Sequence, residues 1–539
     1  MDFLVHHMLR ASAARHAEKE ALVHESQRLS FAELKTRVDR LASLLAAASL
    51  QPGDRVAIAL EPSVEQVVAI FAVSQAQGVF VPIHHSLKAE QVSHIINDCG
   101  ATALITCAER LVDLEDVIRD ASSLKFVVSD DPVAATDLPC PVVDGSASQA
   151  CSALDVPTDR VNERDLAAIL YTSGSTGKPK GVMLSHANVM AGASIVSEYL
   201  SIEAQDRILA VLPFSFDAGL NQLTTAVQQG ATLVLKSFRF AREIVKTLES
   251  EQITGLAGVP PVWNLLVQRS SRLAETSLPR LRYITNTGGA LSQTTLAELR
   301  QSLPDLDIFL MYGLTEAFRS TYLPPSELDR RPSSMGRAIP NTTIYVLRDD
   351  GRECGPGETG ELVHHGPTVS LGYWGHPELT AQVLRPHPFA HPGMSDGTKV
   401  CYSGDLVKKD EEGFLYFVSR RDNQIKTSGF RVSPSEVEEA IFQSGFVTEA
   451  AVVGLPDEML GQRIAAFVVL NGQDGSAADQ IRSFCADRLP RHMVPASVEV
   501  MPSLPKTASG KINYPAIRQI GLGSEATDLD RSKNAKAGV

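Results

Sequence analysis

The sequence predicts an α/β protein: a large N-terminal region of two doubly wound sheet layers plus a small β-barrel, followed by a small mobile α+β C-terminal domain. Three observations lead there. From Met1 to about Arg330, short apolar strands alternate with amphipathic stretches, the pattern of parallel strands covered by helices on both faces. From about Ser334 the texture changes to alternating segments broken by the turn signals Asp349-Asp-Gly351 and Glu411-Glu-Gly413, which reads as antiparallel hairpins. Beyond them Ser433-Pro-Ser-Glu436 reads as a capping box with Pro at the first helical position, opening a compact run of helix and strand. With 539 residues and 44% hydrophobic content the chain can bury more than one core. We expect domains at 1–421 and 422–520, and a polar, disordered tail at 521–539.

In chain order, strands are expected at Arg55–Leu60, Val79–Pro82, Ala103–Thr106, Phe126–Val128, Leu166–Tyr171, Gly181–Leu184, Ile208–Leu212, Thr232–Leu235, Leu281–Thr285 and Asp307–Met311. Helices are expected at Phe31–Leu45, Ser63–Gln75 and Arg242–Glu251, and after Ser185 as a cap, with His186 in the first turn as a surface or packing residue. Thr343–Leu347 and Glu361–His364 alternate as hairpin strands, so His364 and His365 face opposite ways and cannot share a metal. In the last domain, strands at Ala450–Val453, Ala465–Leu470 and Val498–Val500 flank helices at Pro434–Gln443 and Ala477–Asp487.

The densest chemistry lies in Tyr171-Thr-Ser-Gly-Ser-Thr-Gly-Lys-Pro-Lys-Gly181. Gly174 and Gly177 let backbone approach a ligand, Thr172, Ser173, Ser175 and Thr176 offer hydroxyls, and Lys178 and Lys180 supply positive charge, so a polyanion belongs there. A Walker A loop needs four residues between its glycines and runs from Lys-Ser/Thr into a helix. Here two residues separate Gly174 from Gly177, Pro179 follows Lys178, and a strand comes next, so this loop joins two strands. A flexible linker is the bland alternative, but linkers rarely follow a buried strand and carry Lys-Pro-Lys.

Tyr171 to Gly181 resembles the phosphate loop of the AMP-forming adenylating enzymes, the superfamily of acyl-CoA synthetases, nonribosomal peptide adenylation domains and beetle luciferases. The other motifs follow in family order from about Phe3 to Ile517. Met311-Tyr-Gly-Leu-Thr-Glu316 supplies Tyr312 to stack on adenine, Thr315 for a phosphate oxygen, and Glu316 as the Mg2+ carboxylate, a hard oxygen ligand suited to that ion. Asn286-Thr287-Gly288-Gly289-Ala290 resembles the adenine-binding segment; as a pattern alone it is a strand-to-helix turn. Phe214 and Asp217 fall in a segment that the resemblance implies contributes to the acyl pocket. Asp217 reads locally as a helix cap, whereas amino-acid-activating relatives use an aspartate here for the substrate ammonium. Gly258 and Trp263 resemble the next pocket motif, with core packing as the other reading of Trp263. Ala317 to Pro325 resembles the stand-alone ligases of exosortase A systems, near relatives of prolyl-carrier-protein adenylating enzymes.

Further on, the resemblance implies that Asp405 and Arg420 contact ribose, Asp422 is the hinge, Lys426 serves the thioester half-reaction, and Lys511 is the catalytic lysine. Ser403 and Ser419 depart from the usual Thr and Gly of these motifs. The implied cofactors are ATP, Mg2+ and either CoA or carrier-protein phosphopantetheine. A swing about Asp422 would exchange Lys511 for the Ser428-Gly-Phe-Arg431 face.

A net charge of −13 without a Lys/Arg block argues against nucleic-acid and anionic-membrane surfaces. The N-terminus lacks a cleavable apolar core and no apolar stretch reaches 18 residues, so a cytoplasmic protein without a transmembrane segment is expected. Seven scattered cysteines form no Cys-x-x-Cys pair. Three functions stay open: an acid-thiol ligase acting on a small carboxylic acid and CoA or an acyl carrier; an amino-acid-activating enzyme loading a peptidyl carrier, favoured by Asp217 and Leu489–Pro495; and a nucleotide-binding protein without catalysis.

Overall fold

The computed structural model describes residues 2–130, 138–145, 159–172, 179–390, 393, 397–421, 424–427, 430–457, 460–472, 476–507 and 510–523. The chain divides into two compact units, Met1–Ile344 with Val363–Ser403, and Tyr345–Leu362 with Gly404–Val539.

The first unit contains two large sheets. One has nine strands in the order Arg337–Ala338, Ala317–Leu323, Asp307–Leu314, Tyr283–Asn286, Gly255–Gly258, Arg207–Ala210, Thr232–Leu235, Glu20–His24 and Gln27–Ser30. The other has eight: Gly372–Tyr373, Lys180–Ser185, Leu166–Thr172, Val79–Pro82, Arg55–Ala59, Ala103–Thr106, Phe126–Ser129 and Val142–Asp144. Their centres are parallel, as expected, but both sheets are mixed. Antiparallel partners lie toward the edges, because the short connections at Glu25, at Thr315–Glu316 and between Thr172 and Lys180 return the chain beside itself without a crossover helix. A shared core joins the sheets through buried helices, with Val56 and Phe80 of one sheet and Leu233 and Phe318 of the other in one apolar cluster. Helix Val64–Gln75 is buried along eleven of its residues, which is why its sequence is apolar nearly all round.

Helix starts follow the local chemistry. Ser30 and Glu33 form a reciprocal capping box at 3.2 and 2.8 Å. Ser185 and Asn188 do the same at 3.1 and 2.9 Å, ahead of helix His186–Tyr199. His186 is buried, and its Nδ1 accepts the Val5 N–H at 3.2 Å, which makes it a packing residue. Nearby, His6 and His7 each meet Asp159 through Nε2 at 2.9 Å, and burial pushes His6 and His186 down to about 4.

The strands expected to close into a barrel form an open five-stranded sheet instead, in the order Thr343–Leu347, Thr359–His365, Lys399–Lys409, Leu384–Pro386, with Leu415–Arg420 also on Lys399–Lys409. The eleven-residue strand is long enough to pair Leu384–Pro386 at its start and Leu415–Arg420 at its end, so the sheet forks rather than closes.

In the second unit, helices Pro434–Gln443 and Ala477–Arg488 cover a sheet ordered Phe430–Val432, Ile425–Thr427, Gly461–Leu470, Val447–Asp457, with Ser497–Val500 parallel to Gly461–Leu470. The expected capping box at Ser433 does not form. The Ser433 hydroxyl donates to the Val418 carbonyl, and Pro434 alone marks the helix start. The six described cysteines are free thiols, five of them buried; Cys151 lies outside the described residues.

Candidate active site

Parallel register gathers several of the expected site segments at one edge of the nine-stranded sheet. Gly258 pairs with Asn286, and Asn286 with Leu310, so Gly258–Trp263, Asn286–Ala290 and Tyr312–Glu316 all leave adjacent strands at their carboxyl ends, where ligands of open α/β sheets sit. Strand Arg207–Ala210 pairs with Gly255–Gly258 and leads to Phe214 and Asp217 at that same end. Phe214 is fully buried. Asp217 is 5% exposed and opens helix Asp217–Gln229, with Phe216 at the cap position, so it is not the N-cap.

Close approach explains the glycines. A Cβ at Gly258 would lie 2.6 Å from the Trp263 ring, so Gly258 makes room for that indole, which is buried with no partner for its N–H among the described residues. The Thr287 N–H donates to the Gly258 carbonyl at 3.1 Å, and the Asn286 amide donates to the Gly289 carbonyl at 2.9 Å. Gly288 has φ +78°, and Gly289 and Ala290 are exposed beyond it.

Tyr312 is half-buried and lies parallel to the His364 ring, 6.1 Å between centroids. Burial holds His364 down at about 3, neutral, with neither ring nitrogen hydrogen-bonded among the described residues. Thr315 and Glu316 form the hairpin turn after Leu314. Glu316 is held twice: its carbonyl accepts the Ser370 N–H at 2.9 Å, and its Oε1 accepts the Tyr373 hydroxyl at 2.5 Å.

The phosphate-loop hairpin reaches this edge through Tyr373. Leu166–Thr172 and Lys180–Ser185 are antiparallel, with Thr172 opposite Lys180, which bears out a loop between two strands. Ser173 to Lys178 lie outside the described residues. Tyr171 donates to Asp98 at 2.6 Å, and burial pushes its phenol well up. His94 donates to the Pro179 carbonyl at 3.0 Å. Strand Gly372–Tyr373 adds to Lys180–Ser185, and Lys180 Nζ stands 5.9 Å from the centroid of the Tyr373 ring. Tyr373 was not among the site residues expected from the sequence. The signal it offered was an aromatic with a polar tip beside a glycine, and Gly372, at φ +111°, lies so close to Thr380 that a Cβ would come within 2.3 Å.

In the second unit, Asp405 and Arg420 face each other across an antiparallel pair, 3.3 Å between Oδ1 and NH1, with Asp405 4% exposed. The structure therefore brings the two expected ribose contacts together. Gly404, at φ +72°, donates its N–H to Glu361 at 3.1 Å. Lys511 is exposed on a turn where Lys506 pairs with Ile512, Thr507 N–H donates to the Lys511 carbonyl at 2.8 Å, and Gly510 has φ +79°. Tyr514 follows and donates to half-buried Glu438 at 2.9 Å, where desolvation pushes the carboxyl up to about 7. Lys426 lies opposite Arg431 in the backbone register; Asp422, Ser428 and Gly429 lie outside the described residues.

This arrangement of strand-end segments has known counterparts. Residues 9–374 match the model of the AMP-binding enzyme family, and residues 436–511 match the AMP-binding enzyme C-terminal domain. The chain belongs to the AMP-binding enzyme family. Among curated members of that family, it is 30% identical to tyrocidine synthase 2 of Brevibacillus parabrevis over 96% of its own length, but spans 14% of that much longer protein. It is 31% identical to the indoleacetate–CoA ligase of Aromatoleum aromaticum, covering 93% of this chain and 95% of that one. Among solved structures, ATP-bound MatB from Rhodopseudomonas palustris superposes with a TM-score of 0.86 at 26% identity, covering 96% and 99% of the two chains. The o-succinylbenzoate CoA synthetase of Bacillus subtilis, in complex with ATP and magnesium, gives 0.79 at 27%, covering 94% and 98%.

Proposed function

We propose that this chain is an AMP-forming acid-thiol ligase, which joins a carboxylic acid to the α-phosphorus of ATP and passes the acyl group to a pantetheine thiol of CoA or a carrier protein. The observation that carries the reading is the register of the nine-stranded sheet, which delivers the Tyr312–Glu316, Asn286–Ala290 and Phe214–Asp217 segments to one edge. Family membership, and a CoA ligase of nearly equal length among its relatives, support it.

The chemical task is to bring two anions together, and the residues suit it. Tyr312 presents an aromatic face to adenine, and the Thr287–Ala290 backbone meets the ring edge. Thr172, Ser173, Ser175, Thr176, Lys178 and Lys180 would surround the leaving pyrophosphate. Asp405 and Arg420 would take the ribose, and Lys511 would lie across the carboxylate and the α-phosphate. Glu316 fits Mg2+: Oε1 is fixed by Tyr373, and Oε2 has no hydrogen bond among the described residues. The ion, when bound, would neutralise phosphate charge. Asp422 would be the pivot between residues 1–421 and 422–520, with Lys426 serving the second half-reaction.

A second reading, loading of an amino acid onto a peptidyl carrier, is favoured by the buried carboxylate of Asp217 and by the peptide-synthase relatives. The narrower likeness to stand-alone exosortase A-associated ligases and a cytoplasmic location stay with the proposal. No helix among the described residues is long and apolar enough to cross a membrane.

The test is carboxylate-dependent exchange of labelled pyrophosphate into ATP, across fatty, aryl, dicarboxylic and amino acids. Exchange with any of them establishes adenylation, and the class that works chooses between the readings. ATP binding without exchange on any acid would leave a nucleotide-binding protein without catalysis.

A further inference from the structure

The hairpin that carries Tyr312 and Glu316 is irregular on its return strand. Pairing runs Leu310 with Leu323, Met311 with Tyr322 and Tyr312 with Thr321, then jumps to Leu314 with Ala317, so that Phe318, Arg319 and Ser320 all stand opposite Gly313. A bulge of this kind re-aims a side chain. Here the residue at its centre is Arg319, whose φ of +72° lies in the left-handed region that long side chains adopt only where the surroundings impose it. Gly313 allows the crowding, since a Cβ there would sit 3.1 Å from the Arg319 Cα.

The side chain placed this way is a buried charge. Arg319 is 4% exposed. Its NH1 donates to the Thr287 hydroxyl at 3.2 Å, its Nε has no acceptor, and no carboxylate pairs with it among the described residues. A guanidinium does not shed its proton, so burial without a counter-charge costs several kcal/mol. More unpaired donors lie in the same neighbourhood. Thr287 is bonded to Gly258, whose Cα faces the Trp263 indole, and the indole N–H has no partner among the described residues. The Asn221 amide N–H also has no partner among the described residues, and a Cβ built at Gly192 would meet both that amide and the ring of Phe318, the residue before Arg319. Thr287 opens the segment given to adenine, and it is bonded to Gly258 of the Gly258–Trp263 segment expected at the acid, so Arg319 lies where the two segments meet; Asn221 is on the helix that Asp217 opens.

We propose that Arg319 recognises a second carboxylate on the substrate, so that the acid adenylated here is a dicarboxylate or an amino acid with an acidic side chain. This rests on the adenylation reading and narrows its substrate. A bidentate guanidinium–carboxylate pair supplies the missing counter-charge, with the Thr287 hydroxyl and the nearby N–H groups completing the shell. An acid lacking the second carboxylate leaves the buried charge unpaired, which is a strong basis for rejection.

The experiment compares α,ω-dicarboxylic acids with monoacids of equal length, and acidic with neutral amino acids, in pyrophosphate exchange by wild type, R319K and R319M. Calorimetric binding of each acid and the melting temperature are measured alongside. Wild type should favour the doubly anionic acids by about 10²-fold or more in kcat/KM. R319M should lose that preference while the KM for ATP and the melting temperature hold, and R319K should keep part of it. If monoacids exchange as well as dicarboxylates on wild type, or R319M slows every acid equally, Arg319 is a packing residue and the proposal is overturned while adenylation stands. No exchange with any acid removes both. The wild-type preference needs no variant, so a variant that fails to fold does not rescue the idea.

Discussion

The residues proposed to bind and the lysine proposed to react are held in opposite ways. In the first unit, Asn286–Ala290 and Tyr312–Glu316 leave neighbouring strands in a shared parallel register, with Thr287 buried and Glu316 tied by a backbone and a side-chain bond. In the second, Lys511 sits exposed on a turn closed by Lys506 and Ile512. Recognition needs groups fixed to fractions of an ångström, which ladders supply, whereas a group that acts at one stage only gains from a support that costs little to move.

The sharpest way to break that contrast is Lys511→Ala. Adenylation should fall by about 10²–10³-fold while ATP affinity, measured by calorimetry, stays near wild type, since the lysine is assigned charge in the transition state. Equal losses in binding and rate would place Lys511 with the recognition residues and undo the distinction.

Asp405→Ala tests the ladder-held class from within the second unit. It should weaken ATP and AMP binding by about 10–100-fold, the worth of hydrogen bonds to a buried carboxylate, with a smaller effect on the rate at saturation. Ribose-modified nucleotides lacking a hydroxyl should lose less on the variant than on wild type.

Tyr373→Phe asks whether Glu316 depends on its tether. The magnesium concentration for half-maximal exchange should rise by about 3–10-fold, and manganese binding followed by electron paramagnetic resonance should weaken in step, as loss of one charge-assisted hydrogen bond predicts. An unchanged metal requirement would mean that the hairpin turn alone orients Glu316.

The smallest effects concern stability against pH, with opposite signs in the two units. His6 and His186 are lowered by burial to about 4, so the stability they support is present above the unfolded value near 6.5 and is lost as pH falls toward 4. Glu438 is raised to about 7, so its share is present below about 4.5 and is lost as pH rises to 7. Glu438→Gln should flatten that second dependence and recover about 1–3 kcal/mol at pH 8, read from denaturant unfolding of the full chain. A variant less stable than wild type at pH 8 would show that the carboxylate's bonds to Val452 and Tyr514 outweigh its desolvation.

The strand-end segments were legible in the sequence because each apolar run stops at glycine, proline or a polar cluster, and alternation with helices fixes which end faces the ligand. Contacts across long separations were not. Tyr373 meets Glu316 over 57 residues, and Ser433 abandons its helix for a carbonyl 15 residues back. The barrel failed for a related reason, since hairpin signals locate turns but leave open how many strands one long neighbour will pair. Arg319 did leave a trace, as the only charged residue within the apolar strand Ala317–Leu323, but the bulge that turns it and the lack of a counter-charge among the described residues are tertiary facts.

Helix His186–Tyr199 behaves as a tie beam. Its first turn is clamped to the phosphate-loop hairpin by Ser185 and, through the Asn188 amide, to the Pro367 and Val369 carbonyls at 2.8 and 2.9 Å. At Gly192 it bears on the Phe318 ring, where a single methyl group would find 2.5 Å of space. The Gly192–Phe318 contact leaves no room for a side chain, so a displacement at the proposed nucleotide end would be passed on toward Arg319. Filling the gap with Gly192→Ala would load the beam permanently and should disturb acid selectivity from a residue that touches neither ligand.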